Sequence, residues 1–430
     1  MSNLNSNYDV IVVGGGPSGM IAAGKAGERG LSVLLLEKNK SLGEKLKISG
    51  GGRCNITNAE GNLLNTHASS NLEARPDIHK FLSNYGNAKP FLYSAFAEFG
   101  VGETEKFFLN LGLPFVTQNR NRVFPKSEKA TDVLNALVSY MNKNNVVISL
   151  NEPVLNFEIQ DNKISKVITK NNTYTAKSVI VATGGLSHPE TGSTGDGFKW
   201  LEKLGHTIHP PTPSIVPLSV EDEWVKKLAG ISFEMIKITF FVEGNKVFSK
   251  VGPILCTHFG LSGPTILNSS KKVADMLYGG IVTATIDTYP DKNLGELEKH
   301  IIKIFDQNKN KTFKNVFDDI APKGTGKILL TLLPQIDPEI KTHSVTVEMR
   351  KQIVRLLKAL PITISGLMGF DRAVVADGGV DIAEVDLKTM RSKKVSNLFL
   401  TGDMLHIERP SGGFSLQLCW TTGFVAGKNV

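Results

Sequence analysis

The 430-residue chain has few cysteines and no long apolar run. Its three cysteines, Cys54, Cys256 and Cys419, lie far apart and form no CxxC pair, which excludes a disulfide framework and a CxxC-type zinc site. Among nine histidines there is no HExxH motif, and His206 and His209 share only HxxH spacing, so no metal is predicted. No segment approaches the ~18 apolar residues of a membrane span, and the start MSNLNSNYDV lacks a signal-peptide pattern. We therefore expect a cytoplasmic protein without a membrane partner.

The charge pattern argues against a nucleic-acid partner. The formal charge is +8, but the lysines are scattered and form pairs such as Lys271 and Lys272 instead of a basic stripe. With 41% hydrophobic and 21% charged residues, the composition is that of a globular protein of two or three domains. A small-molecule substrate is expected, and the oligomeric state is left open.

The N-terminal stretch YDVIVVGGGPSGMIAAGKAGERGLSVLLLEK (8–38) predicts a dinucleotide site. An apolar strand leads into GxGxxG at Gly14, Gly16 and Gly19, an Ala-rich helix follows, and a second strand ends at Glu37. These glycines permit a tight turn, a close approach to a pyrophosphate, and close packing of helix on strand. Glu37 is placed to accept both ribose hydroxyls. The predicted contacts of this stretch are Gly14, Gly16, Pro17, Ser18, Gly19, Glu37 and Lys38; the alternative is a glycine turn in a generic α/β unit.

Two distant strands indicate FAD and not NAD. SVIVATGG (178–185) and NLFLTGDM (397–404) are buried-strand patterns ending in glycine, and PSGGFSLQ (410–417) opens the last helix. This return to one sheet after some two hundred residues resembles the two-lobed FAD proteins of the glutathione-reductase fold. The resemblance implies cofactor contacts at Val154, through its backbone at the adenine, and at Ala182, Thr183, Gly184, Gly185, Gly402, Asp403, Gly413, Phe414, Ser415 and Leu416. The N-terminus of the helix opened by Gly412 and Gly413 is expected to favour negative charge on reduced flavin.

The stretch KLKISGGGRCNITN (45–58) has little side chain to bury and is expected to run along the flavin. Its predicted cofactor contacts are Lys45, Ser49, Gly50, Gly51, Gly52, Arg53, Cys54 and Asn55; a flexible surface loop is the alternative. The fifth residue after Cys54 is Ala59, so the CxxxxC pair of disulfide reductases is absent. Cys54 is read as a packing residue, with a reactive thiol as the alternative.

Four segments together resemble a family of bacterial NAD(P)/FAD-dependent oxidoreductases: 45–58, RVFPKS (122–127), HFGLSGP (258–264) and GDMLHIERPSGGFSLQ (402–417). Some members are assigned as reductases of steroid-type enones such as 3-dehydro-bile acids, and others as aminoacetone oxidases. The resemblance spans almost the whole chain. At His406 to Arg409 the family often has acidic residues and a glycine, so substrate choice does not carry over with the resemblance.

The predicted fold class is α/β, a discontinuous glutathione-reductase-type Rossmann-like FAD domain with an inserted β-rich domain and a small helical domain. We expect the first part of the FAD domain at 1–205, a barrel-like domain at 206–290, a helical subdomain at 291–360, and the C-terminal part of the FAD domain at 361–430. No second GxGxxG occurs. If NAD(P)H is the reductant, it must therefore visit the flavin transiently.

The predicted function is an FAD-dependent reductase that passes a hydride from NAD(P)H through the flavin to an enone-type small molecule. The alternatives are an amine oxidase that uses oxygen and a flavin-binding redox-regulatory protein without turnover. Candidate catalytic residues are His258, Arg122, Arg409 and Cys54. A packing histidine and structural or surface arginines are the competing interpretations.

Overall fold

The computed structural model describes residues 6–60 and 78–430. Residues 1–5 of the N-terminal stretch in which no signal peptide was expected lie outside the described residues. The chain divides into two compact units, one running to Pro213 and resuming at Val374, the other Ser214–Ala373. The predicted barrel-like and helical segments both fall largely within the second unit.

Labels follow chain order. The strands are β1 Asn7–Val13, β2 Val33–Leu36, β3 Thr57–Asn58, β4 Phe115–Gln118, β5 Arg122–Pro125, β6 Val147–Ser149, β7 Val154–Gln160, β8 Lys163–Thr169, β9 Thr173–Val181, β10 Ile208–Ser214, β11 Leu218–Val220, β12 Ser232–Val242, β13 Asn245–Thr257, β14 Gly260–Ser262, β15 Val282–Asp287, β16 Leu360–Leu367, β17 Val375–Val380, β18 Val385–Asp386, β19 Arg391–Ser392 and β20 Leu398–Leu400. The helices are α1 Pro17–Glu28, α2 Glu44–Ile48, α3 Ile78–Leu82, α4 Lys89–Glu98, α5 Val101–Asn110, α6 Ala130–Lys143, α7 Asp196–Lys203, α8 Glu223–Lys227, α9 Pro264–Leu267, α10 Ser270–Tyr278, α11 Leu294–Gln307, α12 Phe313–Ile320, α13 Gly326–Leu329, α14 Val347–Lys358 and α15 Phe414–Asn429.

The first unit is organised around a parallel sheet. Its strand order is β18-β19-β20-β9-β1-β2-β6, and the five strands from β20 to β6 run parallel to one another. The apolar runs at 10–13 and 33–36 are buried almost completely, as expected for parallel strands that are covered on both faces. The predicted Rossmann-type α/β fold is confirmed.

The two ends of the chain close this unit by packing their helices together. The last helix, α15, lies so close to α1 that a Cβ on Gly427 would lie 2.9 Å from the Cβ of Lys25, and one on Gly423 would overlap Ser18 and Ile21. Glycine at these positions permits the close approach, because any side chain would force the helices apart. The first turn of α15 therefore reaches the edge of the sheet at which α1 begins.

The second unit is a closed barrel with helices packed against it. The barrel order is β11-β14-β13-β12-β15-β16, and its sixth strand comes from residues 360–367, after the helical stretch. Alternating buried residues of its strands, such as Ile236, Ile238 and Phe240, form its core together with helix residues. No helix in the described ranges has the length and apolar character needed to cross a membrane.

Candidate functional site

Four parallel strands of the first unit end at the same edge of the sheet. The residues that follow β1, β2, β9 and β20 are Gly14, Glu37, Ala182 and Thr401. In open α/β sheets this carboxyl edge, beside the point where the strand order reverses, is where ligands bind. Because β1 lies between β2 and β9, the edge of β1 marks that point.

The first glycine turn has a tight turn at Gly14 and close packing at Gly19, as predicted, and open space at Gly16. Gly14 has a φ of 109°, and a Cβ there would lie 2.5 Å from the carbonyl oxygen of Ala182. A Cβ on Gly19 would overlap the carbonyl oxygen of Gly14, so Gly19 lets α1 pack on the strand. A Cβ on Gly16 would meet no atom within 4 Å, and Pro17 begins α1 directly after it. The turn thus leaves Gly16 clear for a ligand at the N-terminus of α1.

Glu37 holds the glycine turn as well as ending β2. Its carboxylate is buried and accepts hydrogen bonds from the N–H groups of Gly15, at 2.7 Å, and Asn39, at 2.8 Å. Burial raises the pKa of Glu37, with these two N–H groups acting in the opposite direction. Its neighbour Lys38 donates to Thr194 and pairs with Asp196 at 3.0 Å, in the first turn of α7. The bond to Gly15 was not anticipated from the sequence, where Glu37 was assigned only to the ribose.

The segment 45–58 runs from the glycine turn towards the last helix. At its start the N–H of Gly43 donates to the carbonyl of Gly15, at 2.9 Å, and Lys45 donates to the hydroxyl of buried Ser187, at 3.0 Å. Ser49, the next predicted contact, donates its hydroxyl to the carbonyl of Leu46 at 2.7 Å.

Gly50, Gly51 and Gly52 have φ values of 57°, 69° and 84°, a left-handed run that side chains disfavour. A Cβ on Gly51 would meet no atom within 4 Å. Internal packing therefore does not account for the absence of a side chain at Gly51.

The polar residues after the three glycines differ in their surroundings. Arg53 lies over the ring of Phe124, 4.4 Å from its centroid. Cys54 is fully buried, and burial raises its pKa to about 12, so it stays a thiol. The side-chain oxygen of Asn55 is buried without a hydrogen-bond partner in the protein. A buried acceptor of this kind is expected to meet a donor on a ligand.

The segment ends against the first turn of α15. Asn58 donates to the carbonyl of Gly412 at 2.9 Å, and Gly413, with a φ of 105°, lies directly against Thr57. Buried Gln417 accepts from the hydroxyl of Thr57 at 2.6 Å. The structure thus fixes this helix N-terminus to the segment that was predicted to run along the flavin.

This turn is also supported by Gln417 and Tyr85, neither of which was predicted from the sequence. The hydroxyl of Tyr85 donates to the carbonyl of Phe414 at 2.9 Å, and the rings of both residues pack with Phe81. Of the remaining predicted contacts in the turn, Ser415 accepts a hydrogen bond from Arg409, and Leu416 is partly buried.

A group of charges lies beside the end of β20. The buried guanidinium of Arg409 pairs with Asp403 and donates to the hydroxyl of Ser415, at 3.1 Å, and to the carbonyl of Ile407, at 2.6 Å. Burial lowers the pKa of Lys45, and the nearby Asp403 partly offsets this effect. Arg409, a candidate catalytic residue, is thus paired with Asp403, which is itself a predicted cofactor contact.

The ends of β9 and β20 bring the other predicted contacts together. Thr183 lies against the sulfur of Met404, at 3.0 Å. A Cβ on Gly185 would lie 3.5 Å from the carbonyl of Asp403, and one on Gly402 would lie 2.8 Å from the hydroxyl of Ser18. Gly184 has a φ of 73°.

Val154, predicted to meet the adenine, begins β7 beside the end of β2. Two residues earlier, the N–H of Glu152 donates to the carbonyl of Glu37 at 2.9 Å. Val154 therefore lies close along the chain to the ribose side of the predicted cofactor site.

The two other candidate catalytic residues are Arg122, in the first unit, and His258, in the second. Arg122 begins β5, donates to the carbonyl of Asn119 at 3.2 Å, and lies 5.8 Å from the ring centroid of Phe124. The pKa of Arg122 is lowered mainly by burial, and the positive charge of nearby Arg53 lowers it further. His258 is exposed in the second unit, between β13 and β14.

The residues at this edge fit FAD on three observations. Gly16 and Gly51 present backbone with no protein atom where a side chain would lie. Asn55 offers a buried oxygen without a protein partner, and so does the hydroxyl of Thr401. The cofactor would be held by the α1 turn and Glu37 at one end and by 50–55, Asp403 and the α15 turn at the other.

Comparisons with known proteins give one family and several full-length relatives. The family model described as HI0933-like protein Rossmann domain matches residues 8–429. The chain is 28% identical over 420 residues to a 3-dehydro-bile acid delta(4,6)-reductase of Clostridium scindens, covering 97% of each chain. It is 28% identical over 438 residues to a ribosomal RNA dihydrouridine synthase of Haemophilus influenzae, covering 100% of this chain and 99% of the other.

Among solved structures, a 3-ketosteroid-delta4-(5alpha)-dehydrogenase of Rhodococcus jostii RHA1 has the same fold. The TM-score is 0.57 at 15% identity, covering 100% of this chain and 98% of the other.

Proposed function

We propose that this chain, which belongs to the HI0933-like Rossmann family and is an FAD-dependent oxidoreductase, reduces a carbon–carbon double bond conjugated to a carbonyl group in a small molecule. The observation that carries the proposal is the full-length similarity to a 3-dehydro-bile acid delta(4,6)-reductase. A steroid-type enone is therefore the proposed substrate class, and NAD(P)H is the proposed reductant.

The reaction consumes one hydride and one proton for each double bond. Bound FAD would supply the chemistry of hydride transfer between NAD(P)H and the β-carbon of the enone. The proton goes to the α-carbon, so that NAD(P)H, a proton and the enone give NAD(P)⁺ and the saturated ketone.

The residues at the sheet edge provide an electrostatic setting for a cofactor that gains negative charge. The N-terminus of α15 carries the positive end of a sixteen-residue helix. Lys45 and Arg409 add two cations, which lie close to the carboxylate of Asp403. Such a setting stabilises negative charge and so favours uptake of a hydride.

The test is anaerobic reduction followed by reoxidation. We expect NADH or NADPH to bleach the visible absorbance of the flavin, and a 3-oxo-4-ene steroid to restore it faster than oxygen does. Lys45→Met should slow the bleaching step, whereas Lys166→Met, which removes a surface lysine paired with Glu158 at 2.8 Å, should not. Bleaching by aminoacetone and by neither nucleotide, with peroxide formed in air, would establish the oxidase instead. A flavin that no substrate reoxidises would favour the regulatory alternative.

A second candidate function is the reduction of uridine in RNA. The relative from Haemophilus influenzae is as similar as the bile-acid reductase and matches over the whole length of both chains. The double bond of uracil is also conjugated to a carbonyl, so the same hydride chemistry applies. Incubation of reduced enzyme with ribosomal RNA, followed by mass spectrometry of the nucleosides, tests it. Dihydrouridine in the product would assign this function and would overturn the expectation that no nucleic acid is a partner.

A further inference from the structure

We propose that Asp377, His406 and Glu408, here called the His406 cluster, bind a divalent transition metal ion. One ligand atom from each side chain lies within 4.8 Å of the other two. Among the residues that the structure describes, no other group of three metal-ligating side chains brings its ligand atoms this close together. The inference does not depend on the proposed reaction.

The backbone holds the cluster in a fixed arrangement. The N–H of His406 donates to the carbonyl of Val380 at 3.0 Å, which fixes the 405–408 segment beside β17. Gly378 and Gly379 have φ values of 110° and 119° and lack the side chains that would separate the backbones. A Cβ on Gly379 would lie 2.7 Å from the carbonyl of Met404, and one on Gly378 would lie 2.8 Å from the carbonyl of His209.

The donor set suits a borderline metal ion. One imidazole nitrogen and two carboxylate oxygens are ligands typical of Zn²⁺, Fe²⁺ or Mn²⁺ sites, whose remaining positions water can fill. The imidazole of His406 lies 3.5 Å from a carboxylate oxygen of Asp377. The ring of His209 lies 4.2 Å from that of His406, centroid to centroid, and its own partner is Asp381 at 3.2 Å.

Charge also favours a cation at this place. Two carboxylates whose oxygens lie within 4.8 Å repel each other, and a divalent ion bound between them would reduce this repulsion. The side chains of Asp377 and His406 are 13% and 29% exposed, so an ion has access to the cluster from solvent.

No metal site was predicted from the sequence, because these three residues match no spacing motif. Asp377 lies in β17, whereas His406 and Glu408 lie in the segment that follows Asp403. The cluster forms only when that segment is placed beside β17.

The experiment uses the purified holoenzyme, treated with a chelator and then dialysed against Zn²⁺ at graded concentrations, with bound zinc measured by elemental analysis. We expect one zinc per chain above the background of surface histidines. His406→Asn, Asp377→Asn and Glu408→Gln should each weaken this binding by at least about tenfold, because each removes a ligand. Zinc should also raise the melting temperature of the unaltered protein and not that of the variants.

His188→Asn is the matched control. The side chain of His188 is 26% exposed and contacts Glu190 at 2.8 Å, so it offers a histidine–carboxylate pair without the third ligand. Zinc binding should be unchanged in this variant. Equal zinc affinity in the unaltered protein and in the His406→Asn, Asp377→Asn double variant would overturn the proposal. If the double variant loses its flavin absorbance, Glu408→Gln decides alone, because its side chain is exposed, and unchanged zinc affinity there would equally overturn it.

Discussion

Replacing Glu37 with glutamine tests the cofactor site at its best-defined point. The carboxylate accepts two backbone hydrogen bonds, from Gly15 and Asn39, and is buried at the end of β2. Glutamine has nearly the same shape but replaces one acceptor oxygen with an NH₂ donor. One of the two N–H groups would then face another donor, and a ribose hydroxyl would lose a charged acceptor.

The expected loss falls on FAD affinity more than on the folded apoprotein. A hydrogen bond to a charged group contributes about 1.5–3 kcal/mol. Its loss corresponds to a dissociation constant for FAD that is roughly tenfold to hundredfold larger. In the apoprotein an opposing effect is at work. Since burial raises the pKa of Glu37, the ionised side chain destabilises the fold relative to a neutral one, and glutamine removes that cost. We therefore expect the melting temperature of the apoprotein to change little.

The assay is a titration of apoprotein with FAD in which the quenching of flavin fluorescence is measured. Thermal unfolding of the apoprotein without FAD is measured in parallel. Glu158→Gln is the control, since it neutralises a surface carboxylate of β7 that pairs with Lys166. It should leave both quantities unchanged. An FAD affinity equal to that of the unaltered protein would refute the assignment of Glu37. A large fall in apoprotein stability at unchanged affinity would show that Glu37 serves only the glycine turn.

Gly51→Val should weaken FAD binding. The control is Gly205→Val, which introduces the same left-handed strain, at a φ of 86° with no atom near, and should lower only the melting temperature. Equal FAD affinities of the two variants would count against a cofactor at Gly51. The Cys54→Ala variant should keep its flavin and its turnover. In the native protein Cys54 should resist alkylation, because a buried thiol with a pKa of about 12 is not ionised at neutral pH. Rapid alkylation of Cys54 would contradict its assignment as a packing residue. Burial alone would raise the pKa of Glu384, but hydrogen bonds from Lys394, Thr207 and His206 outweigh it and lower the pKa to about 2. The resulting stabilisation is present above pH 4.5, the ordinary pKa, and is lost as the pH falls towards 2. In Glu384→Gln the melting temperature should therefore depend less on pH between these values. A pH dependence equal to that of the unaltered protein would exclude this role of Glu384.

The sequence was most informative where structure depends on near neighbours. The unit β1–α1–β2 followed from two apolar runs and the spacing of Gly14, Gly16 and Gly19, because the positive φ of Gly14 and the packing of Gly19 on the Gly14 carbonyl are needs of the turn itself. The three glycines at 50–52 were likewise informative, since a left-handed run has few other solutions.

The parts that the sequence analysis missed depend on contacts between distant residues. Gln417 bonds to Thr57 across 360 positions, and Tyr85 bonds to the last helix across 329. Neither residue type signals such a partner, because a buried glutamine or tyrosine accepts many environments provided that its polar atoms are satisfied. The pairing of His209 with Asp381, 172 positions apart, was missed for the same reason.

The segment that follows β20 places its side chains alternately in two environments. Leu405, Ile407 and Arg409 are buried, and the guanidinium of Arg409 reaches back to Asp403. His406 and Glu408, between them, belong to the cluster with Asp377. This alternation is the two-residue period of an extended strand, which turns successive side chains to opposite sides. The departure from the family pattern at 406–409 therefore has two separable parts. Arg409 adds a charge beside Asp403, a predicted cofactor contact, whereas His406 and Glu408 belong to the proposed metal site on the other side of the same backbone. Substitutions at Arg409 should consequently change FAD affinity at constant zinc affinity, and substitutions at Glu408 should do the reverse.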